Sequence, residues 1–277
     1  MKTVTVAVVV RCAGLASLAL AGCSRSGDAA PTASAASATP PPAPTVPATT
    51  TSATISTDAA AAANAPRLYT FDAETVGAPS PEFDGVVGDW YAADDGGQRG
   101  LRVDGSKWSQ GTPSANLADQ AKRLYGDRYA EFLDGVKAFA FFPLAVLRDP
   151  PPGGDVRISM RFYPEAGRID QGAGIAFGIA PDGSYQGVRA NALEGNILYF
   201  KVVKGHRTVY ENVRNTPTAT RQWHTLAVEL RGAHEAVFLD GTKRLDRELI
   251  EPAHGRVGIW SKADSQVLFD DYKIEPL

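Results

Sequence analysis

Cysteine is almost absent. The 277-residue chain has 2, Cys12 and Cys23, so no internal disulfide can form beyond residue 23, and the remainder must be held by its core. The 4 histidines, His206, His224, His234 and His254, have neither His-x-His nor His-x-x-x-His spacing, and no cysteine stands beside them to complete a zinc set. His224, next to Trp223 at a strand start, reads as exposed or turn-bonded. A Gly-x-Ser-x-Gly elbow is missing, which removes the usual signature of serine-type acyl transfer. No apolar run is long enough to span a bilayer comfortably. Charge of one sign is lacking as well: 28 Lys and Arg face 31 Asp and Glu. Leaving out Lys2, Arg11, Arg25, Asp28 and Asp58 gives 25 against 29 over 66–277, and a surface so nearly balanced makes no electrostatic case for nucleic acid.

What is present begins with a processing signal. Basic residues precede the short apolar run Leu15 to Leu20, which ends in Leu20-Ala21-Gly22-Cys23. Residues 1–23 resemble a bacterial lipoprotein signal peptide with its lipobox. Small Ala21 and Gly22 fit a peptidase cleft, and Cys23 supplies the thiol that takes the lipid. Arg11 interrupts the apolar stretch upstream without touching the lipobox. The expectation is a cell-envelope protein, lipid-anchored to a membrane on its extracytoplasmic side. Residues 24–65 then shift to Ala, Pro, Thr and Ser, too poor in aliphatic and aromatic side chains to offset chain entropy, and read as a disordered, semi-flexible tether.

From 66 to 277 the chain reads as one domain of many short strands. "RLYTFD", "VVGDWYAA", "GLRVDG", "DVRISMRFYP", "GAGIAFGIA", "YQGVRANAL", "NILYFKVVKG", "RTVYENV", "WHTLAVELRG", "EAVFLDGTK", "GRVGIWS" and "VLFDDYKIEPL" alternate or run apolar over strand lengths. Turn signals at Pro181-Asp182-Gly183, Glu194-Gly195-Asn196, Lys204-Gly205 and Asp240-Gly241 separate them. The pattern predicts an all-β antiparallel sandwich or barrel. One insertion near 114–136 departs from it. Leu117, Ala121, Leu124 and Tyr125, then Tyr129, Phe132, Leu133 and Val136, recur at helical spacing, with Ser114 or Asn116 to cap and Gly126 to break. It reads as two short helices packed on the sandwich edge.

"GRIDQGAGIAF", "RANALEGNILYFKVVKG", "RQWHTLAVELRG", "VFLDGTK" and "GRVGIWSKADSQVLFDDYKI" resemble the C-terminal half of bacterial concanavalin A-like lectin/glucanase sandwich proteins. Some of these are related to glycoside hydrolase family 16 or to 3-keto-disaccharide hydrolases. The resemblance implies a jelly-roll β-sandwich of two antiparallel sheets, one concave, with a glycan-facing groove.

The catalytic motif of family 16, Glu-x-Asp-x-Glu, is not kept. Its nearest match is "EFDGV", where Glu82 and Asp84 are followed by Val86 in the third place. Lying in a Pro/Gly-rich stretch, these two acids read as solvated loop charge, and no catalytic residue is assigned. Asp270 and Asp271 of the last strand, with Asp72 of the first, would offer clustered oxygens to calcium, although a strand-edge carboxylate that bonds a turn amide is the preferred reading. No other cofactor is implied.

A binding face is better supported. If side chains alternate along "YQGVRANAL", Val188, Ala190 and Ala192 point into the core while Tyr185, Arg189 and Asn191 share the other side. On "GRVGIWSKADS", Val257 and Ile259 face in and Trp260 and Lys262 face out, and Gln171 stands at the start of the preceding strand. Gln171, Tyr185, Arg189, Asn191, Trp260 and Lys262 then form a polar groove with an aromatic plate, which suits a sugar's hydroxyls and its apolar ring face. The bland alternative is a solvated sheet face in which Arg189 and Lys262 pair with Glu194 or Asp264. The sequence thus reads as a non-catalytic carbohydrate or cell-wall glycan binder. Its alternatives are an enzyme acting on an oxidised glycoside, with Glu194, Asp170 or Asp264 assisting, and a structural envelope spacer.

Overall fold

The computed structural model describes residues 65–107, 117–129, 132 and 142–277. The expected signal peptide, nearly all of the tether, the caps Ser114 and Asn116, and most of the second helix lie outside them. Two antiparallel sheets make up the fold, as an all-β jelly-roll sandwich. The first orders β13 (Thr242–Glu248), β12 (His234–Leu239), β11 (His224–Arg231), β6 (Val156–Ala166), β15 (Gln266–Pro276), β4 (Gln98–Asp104) and β3 (Trp90–Asp95). The first strand, β1 (Arg67–Tyr69), pairs with the last, β15. The second sheet orders β10 (His206–Arg214), β9 (Asn196–Val203), β8 (Tyr185–Asn191), β7 (Gly172–Ile179), β14 (Arg256–Ser261), β5 (Leu144–Leu147) and β2 (Phe83–Val87).

Period-two alternation builds the core between the sheets. Ile158, Met160 and Phe162 of β6 and Val267 and Phe269 of β15 meet Ile175 and Phe177 of β7, Val188 and Ala190 of β8, and Val257 and Ile259 of β14. The second sheet is apolar on its other face too. Val86, Val146, Leu198, Phe200, Val202 and Trp260 join Ala121, Leu124 and Phe132 in a second cluster. β5 accordingly is buried at every residue, and its sequence, Leu-Ala-Val-Leu, has no alternation by which it could be recognised as a half-exposed strand.

The layer over that face includes helix α1 (Leu117–Tyr125), followed by a 3-10 turn over Gly126–Arg128. Asp119 in its first turn and Lys122 and Arg123 in its last complement the helix dipole. Arg256 holds its C-terminus, donating from Nε (3.0 Å) and Nη2 (2.7 Å) to the Leu124 carbonyl. The helix therefore packs at the β2 edge of the second sheet, as expected, and reaches from there over the sheet's outer face.

"EFDGV" is corrected by the same layer. Phe83–Val87 is the edge strand β2, and Asp84 is buried where a solvated loop charge was expected. Arg123 Nη2 donates to its Oδ1 at 2.6 Å and Arg148 Nη2 at 2.9 Å, so Asp84 ties the helix to the sheet. "VVGDWYAA" likewise proves to be two strands in different sheets. The break is Gly88, at φ +87° and with Pro143 so near that a Cβ would come within 2.9 Å of it.

At one end of the inter-sheet core sits an unsatisfied acid. Glu235 is fully buried, neither carboxyl oxygen has a hydrogen-bond partner among the described residues, and Arg247 Nε stands 4.0 Å away. Burial pushes its carboxyl up to about 8, against the pull of Arg247. Because the folded state holds this proton more tightly than the unfolded chain does, stability is greatest below the ordinary glutamate value and falls as pH rises towards 8, by on the order of 3 kcal/mol. Thermal melts between pH 5 and 8 should show this decline, and Glu235→Gln should flatten it. A decline of the same slope in the variant would assign it to other groups.

Candidate functional site

Strand register brings most of the expected face together. Across the outer face of the second sheet Trp260 pairs with Gly174, Gly174 with Arg189, and Arg189 with Leu198. The next row sets Gly172 beside Asn191 and Asn191 beside Asn196. β7 contributes only small residues here. A Cβ on Gly174 would come within 3.1 Å of both Trp260 Cε3 and Arg189 Cβ, and 2.7 Å of the Val188 carbonyl, so glycine lets these two large side chains approach over the strand.

Trp260 is not an exposed plate. It is fully buried, with ring centroids 4.9 Å from Phe200 and 5.4 Å from Phe142, and its indole N–H donates to the Tyr185 hydroxyl at 2.9 Å. Tyr185 is buried with it, and burial pushes its phenol up. The parity expected of both residues is observed. What differs is the medium they point into, because a layer of side chains that includes Phe142 covers this part of the sheet. Gln171 departs in another way. It is one residue out of step with Gly172 and Asn191, and its amide donates to the Gly167 carbonyl (3.0 Å) and accepts from the Thr220 hydroxyl (2.6 Å). It fastens two loops and does not join the face.

Arg189 and Asn191 anchor a polar network at the end of the β8–β9 hairpin. Arg189, 1% exposed, donates from Nη2 to Glu194 Oε2 at 2.6 Å and from Nη1 to Asn196 Oδ1 at 2.9 Å. Asn191 Nδ2 donates to Asp170, while its Oδ1 accepts from the Leu193 amide at 2.9 Å and so shapes the turn. Lys262 pairs with Asp170 and lies 3.9 Å from Glu194. Asn196 Nδ2 reaches Glu194 (3.1 Å) and Asn212 (3.1 Å). Arg189 thus pairs with Glu194, as the bland alternative had it, but it does so from a buried position. Asp264 serves elsewhere, accepting from the amides of Arg168, Ile169 and Asp170, and the two oxygens bent towards that loop set Asp170 in place.

The two acids have opposite characters. Burial raises the carboxyl of Asp170, which is wholly enclosed, against the pull of Lys262. Glu194 keeps 41% of its side chain in solvent. Its partial burial works upward, and the hydrogen bond and charge of Arg189 overcome it and hold the carboxyl below its ordinary value. Asp170, Glu194, Asn196 and Arg207 were not among the expected ligand residues. Asn196 and Asp170 were readable in principle from their parity with Leu198 and Gly172. Arg207, on the mostly exposed strand β10, carried no such signal.

The remaining expectations resolve individually. Asp270 and Asp271 face Arg161 Nη1 at 3.5 and 3.2 Å, and burial, followed by the Asp271 and Asp72 charges, raises Asp270 to about 6. Among the described residues no group of three or more His, Cys, Asp or Glu is arranged to hold a metal ion. His224 is turn-bonded and buried, its Nδ1 at 2.8 Å from Asp240 and its Nε2 at 3.0 Å from the Ala219 carbonyl.

No protein-family model matches the chain, and no curated protein matches it. Among solved structures, the carbohydrate-binding module CBM66 from Bacillus subtilis is 17% identical at TM-score 0.49, covering 70% of this chain and 95% of its own. A Caenorhabditis elegans galectin, LEC-6, is 18% identical at TM-score 0.35, covering 43% of this chain and 82% of its own. A Bacillus subtilis protein of unknown function with a galectin-like fold is 9% identical at TM-score 0.38, covering 48% and 77%. At these levels of similarity the ligands of those proteins do not transfer to this chain.

Burial changes what mutation of the face should do. Trp260→Ala removes a packed indole and should cost about 3–5 kcal/mol of stability. Arg189→Ala strips Asn196 and Glu194 of a charged donor and should cost about 1–3 kcal/mol. Denaturant unfolding measures both. An unchanged midpoint for Trp260→Ala would contradict the packing described here.

Proposed function

We propose that the sandwich is a carbohydrate-binding domain whose ligand is read by the Arg189–Glu194 end of the outer sheet face, and that the chain is tethered in the bacterial envelope through lipidated Cys23. The observation that carries the binding reading is an interlocked set of planar donors and acceptors at one surface edge, the buried Arg189, Asn191, Asn196 and Asp170 with the half-exposed Glu194. Their rotamers are fixed by one another, and Glu194 and Lys262 still reach solvent. Such a set meets paired sugar hydroxyls with little ordering cost. An open cleft of about 600 Å³, lined by Glu194, Gly195, Arg214, Asn215 and Pro217, adjoins it. An aromatic stacking plate is not part of this reading, since Trp260 supports the site from beneath.

A second reading, cleavage of an oxidised glycoside, draws on the two acids. One carboxyl is raised and the other lowered on either side of Lys262, the kind of division that acid and base roles require. The buried position of Asp170 favours binding over this role.

A glycan array probed with the full-length chain tests both readings. Glu194→Ala, at a half-exposed position, should weaken capture about ten-fold or more and lower stability by about 1–3 kcal/mol, because Arg189 then keeps only Asn196. Capture unaffected by Glu194→Ala would place the ligand elsewhere. Shortened sugars released by the wild type and not by Glu194→Ala would establish the enzyme.

Support for the anchor is the Leu20-Ala21-Gly22-Cys23 sequence. No helix among the described residues is long and apolar enough to cross a membrane. Cys23→Ser should move the protein out of the membrane fraction or stall its processing. Retention of the mature form in membranes would reject lipidation at this residue.

A further inference from the structure

At the β8–β9 end of the outer face of the second sheet three described cations and two described carboxylates gather, and the carboxylates are already engaged. Glu194 is held by Arg189, and Asp170 by Lys262. Arg207 is left over. It forms no ion pair with any described carboxylate, and its Nη1 is buried without a hydrogen-bond partner. Nε of Arg189, in a side chain 1% exposed, is buried and unpartnered as well. Arg207 is nonetheless firmly placed. Its guanidinium lies 5.1 Å from the ring centroid of Phe142, 5.6 Å from Phe200 and 6.0 Å from Trp260, an aromatic cradle that favours a cation and orients its plane.

That cradle does not supply a counter-ion. Burial, and next the like charge of Arg189, press the Arg207 guanidinium below its ordinary value against the weaker pull of Asp170 and Glu194. Enclosed charge without a partner is costly, and an unspent donor adds to the cost. Among the described residues at this end the surplus is one positive charge, on two guanidinium groups that each retain a buried N–H. What relieves both deficits is a small planar anion with two acceptor oxygens, which is the shape of a carboxylate and the partner guanidinium groups prefer.

Resting on the glycan-binding reading above, we propose that this face selects sugars bearing a carboxylate, that is uronic acid residues, with Arg207 as the residue that distinguishes acid from neutral sugar and Arg189 as its co-donor. Glu194 and Asn196 are left to the hydroxyls. Lys262, spent on Asp170, does not contact the acid. Exclusion of neutral sugars follows from the same arrangement, because a hydroxyl or an ester leaves Arg207 uncompensated.

Calorimetric titration of the full-length chain in detergent, with trigalacturonate and with its fully methyl-esterified counterpart, tests this. The acid should bind about ten-fold or more tighter than the ester, and its advantage should shrink with added salt. Arg207→Met keeps an unbranched stem among the three rings and removes the charge. It should bring the two ligands within about two-fold of each other, with a melting temperature no lower than that of the wild type. The wild-type comparison of acid with ester stands whether or not the variant folds. Equal or tighter binding of the ester, or a folded Arg207→Met that still prefers the acid, would overturn the assignment. If neutral glycans are captured in a Glu194-dependent way and the acid gains nothing, the carboxylate assignment falls and the glycan reading stands. If no glycan of either kind binds, both fall.

Discussion

Trp260 and Arg189 can lie over the middle of the second sheet only because β7 presents a glycine there. A side chain at Gly174 would meet both of them and the Val188 carbonyl. With that obstacle absent, the indole settles flat among Phe200, Phe142 and Tyr185 and forms the floor of a second apolar layer. Other parts of the face depend on this floor. Arg207 rests against its rings, and Leu124 and Phe132 belong to the same buried cluster. Filling Gly174 would disturb the indole, the Arg189 guanidinium and the cover over them together, although each comes from a different stretch of chain.

The second layer also sets the electrostatics. An antiparallel sheet with one wet face can carry arginine and aspartate cheaply, because water solvates them. Here the face is covered, so Arg189 is held by Glu194 and Asn196, and Asn191 by Asp170, and not by solvent. Enclosure separates the two acids: Asp170 is raised because it is wholly desolvated, whereas Glu194, at the margin, is lowered by a guanidinium it shares with the interior. The network is rigid for the same reason. Each polar atom that finds a partner loses freedom, and those that find none, Arg189 Nε and Arg207 Nη1, are the places where a ligand has something to gain.

Glu235 and Asp84 show how buried acids in one fold serve different ends. Asp84 is enclosed with two guanidinium donors and fastens a helix to a sheet edge. Glu235 is enclosed with neither of its oxygens satisfied and a single cation at 4.0 Å, and so it is held in its protonated form near neutral pH. Both lie on strands whose apolar neighbours are core residues. The contrast comes from the cations packing brings to each acid, Arg123 of the helix and Arg148 to Asp84 and Arg247 alone to Glu235, and not from the acids themselves.

Much of the architecture was determined by local pattern. Alternation along β8 and β14 places Val188, Ala190, Val257 and Ile259 inward and Arg189, Asn191 and Trp260 outward, and turn residues mark the hairpins, since side-chain direction in a strand follows from backbone geometry alone. β5 escaped notice because a strand covered on both faces has no alternation, and β2 because its acid and glycine imitate a loop. Sequence could not say what the outward side chains would meet. Whether Trp260 is a sugar plate or a floor, and whether Arg189 is solvated or enclosed, depends on Phe142, Leu124 and Phe132 arriving from distant parts of the chain. Arg207 lies on an exposed edge strand whose pattern shows no site. It pairs with no described carboxylate because packing brings it over three rings and towards a second guanidinium, and that is a property of the assembled layers.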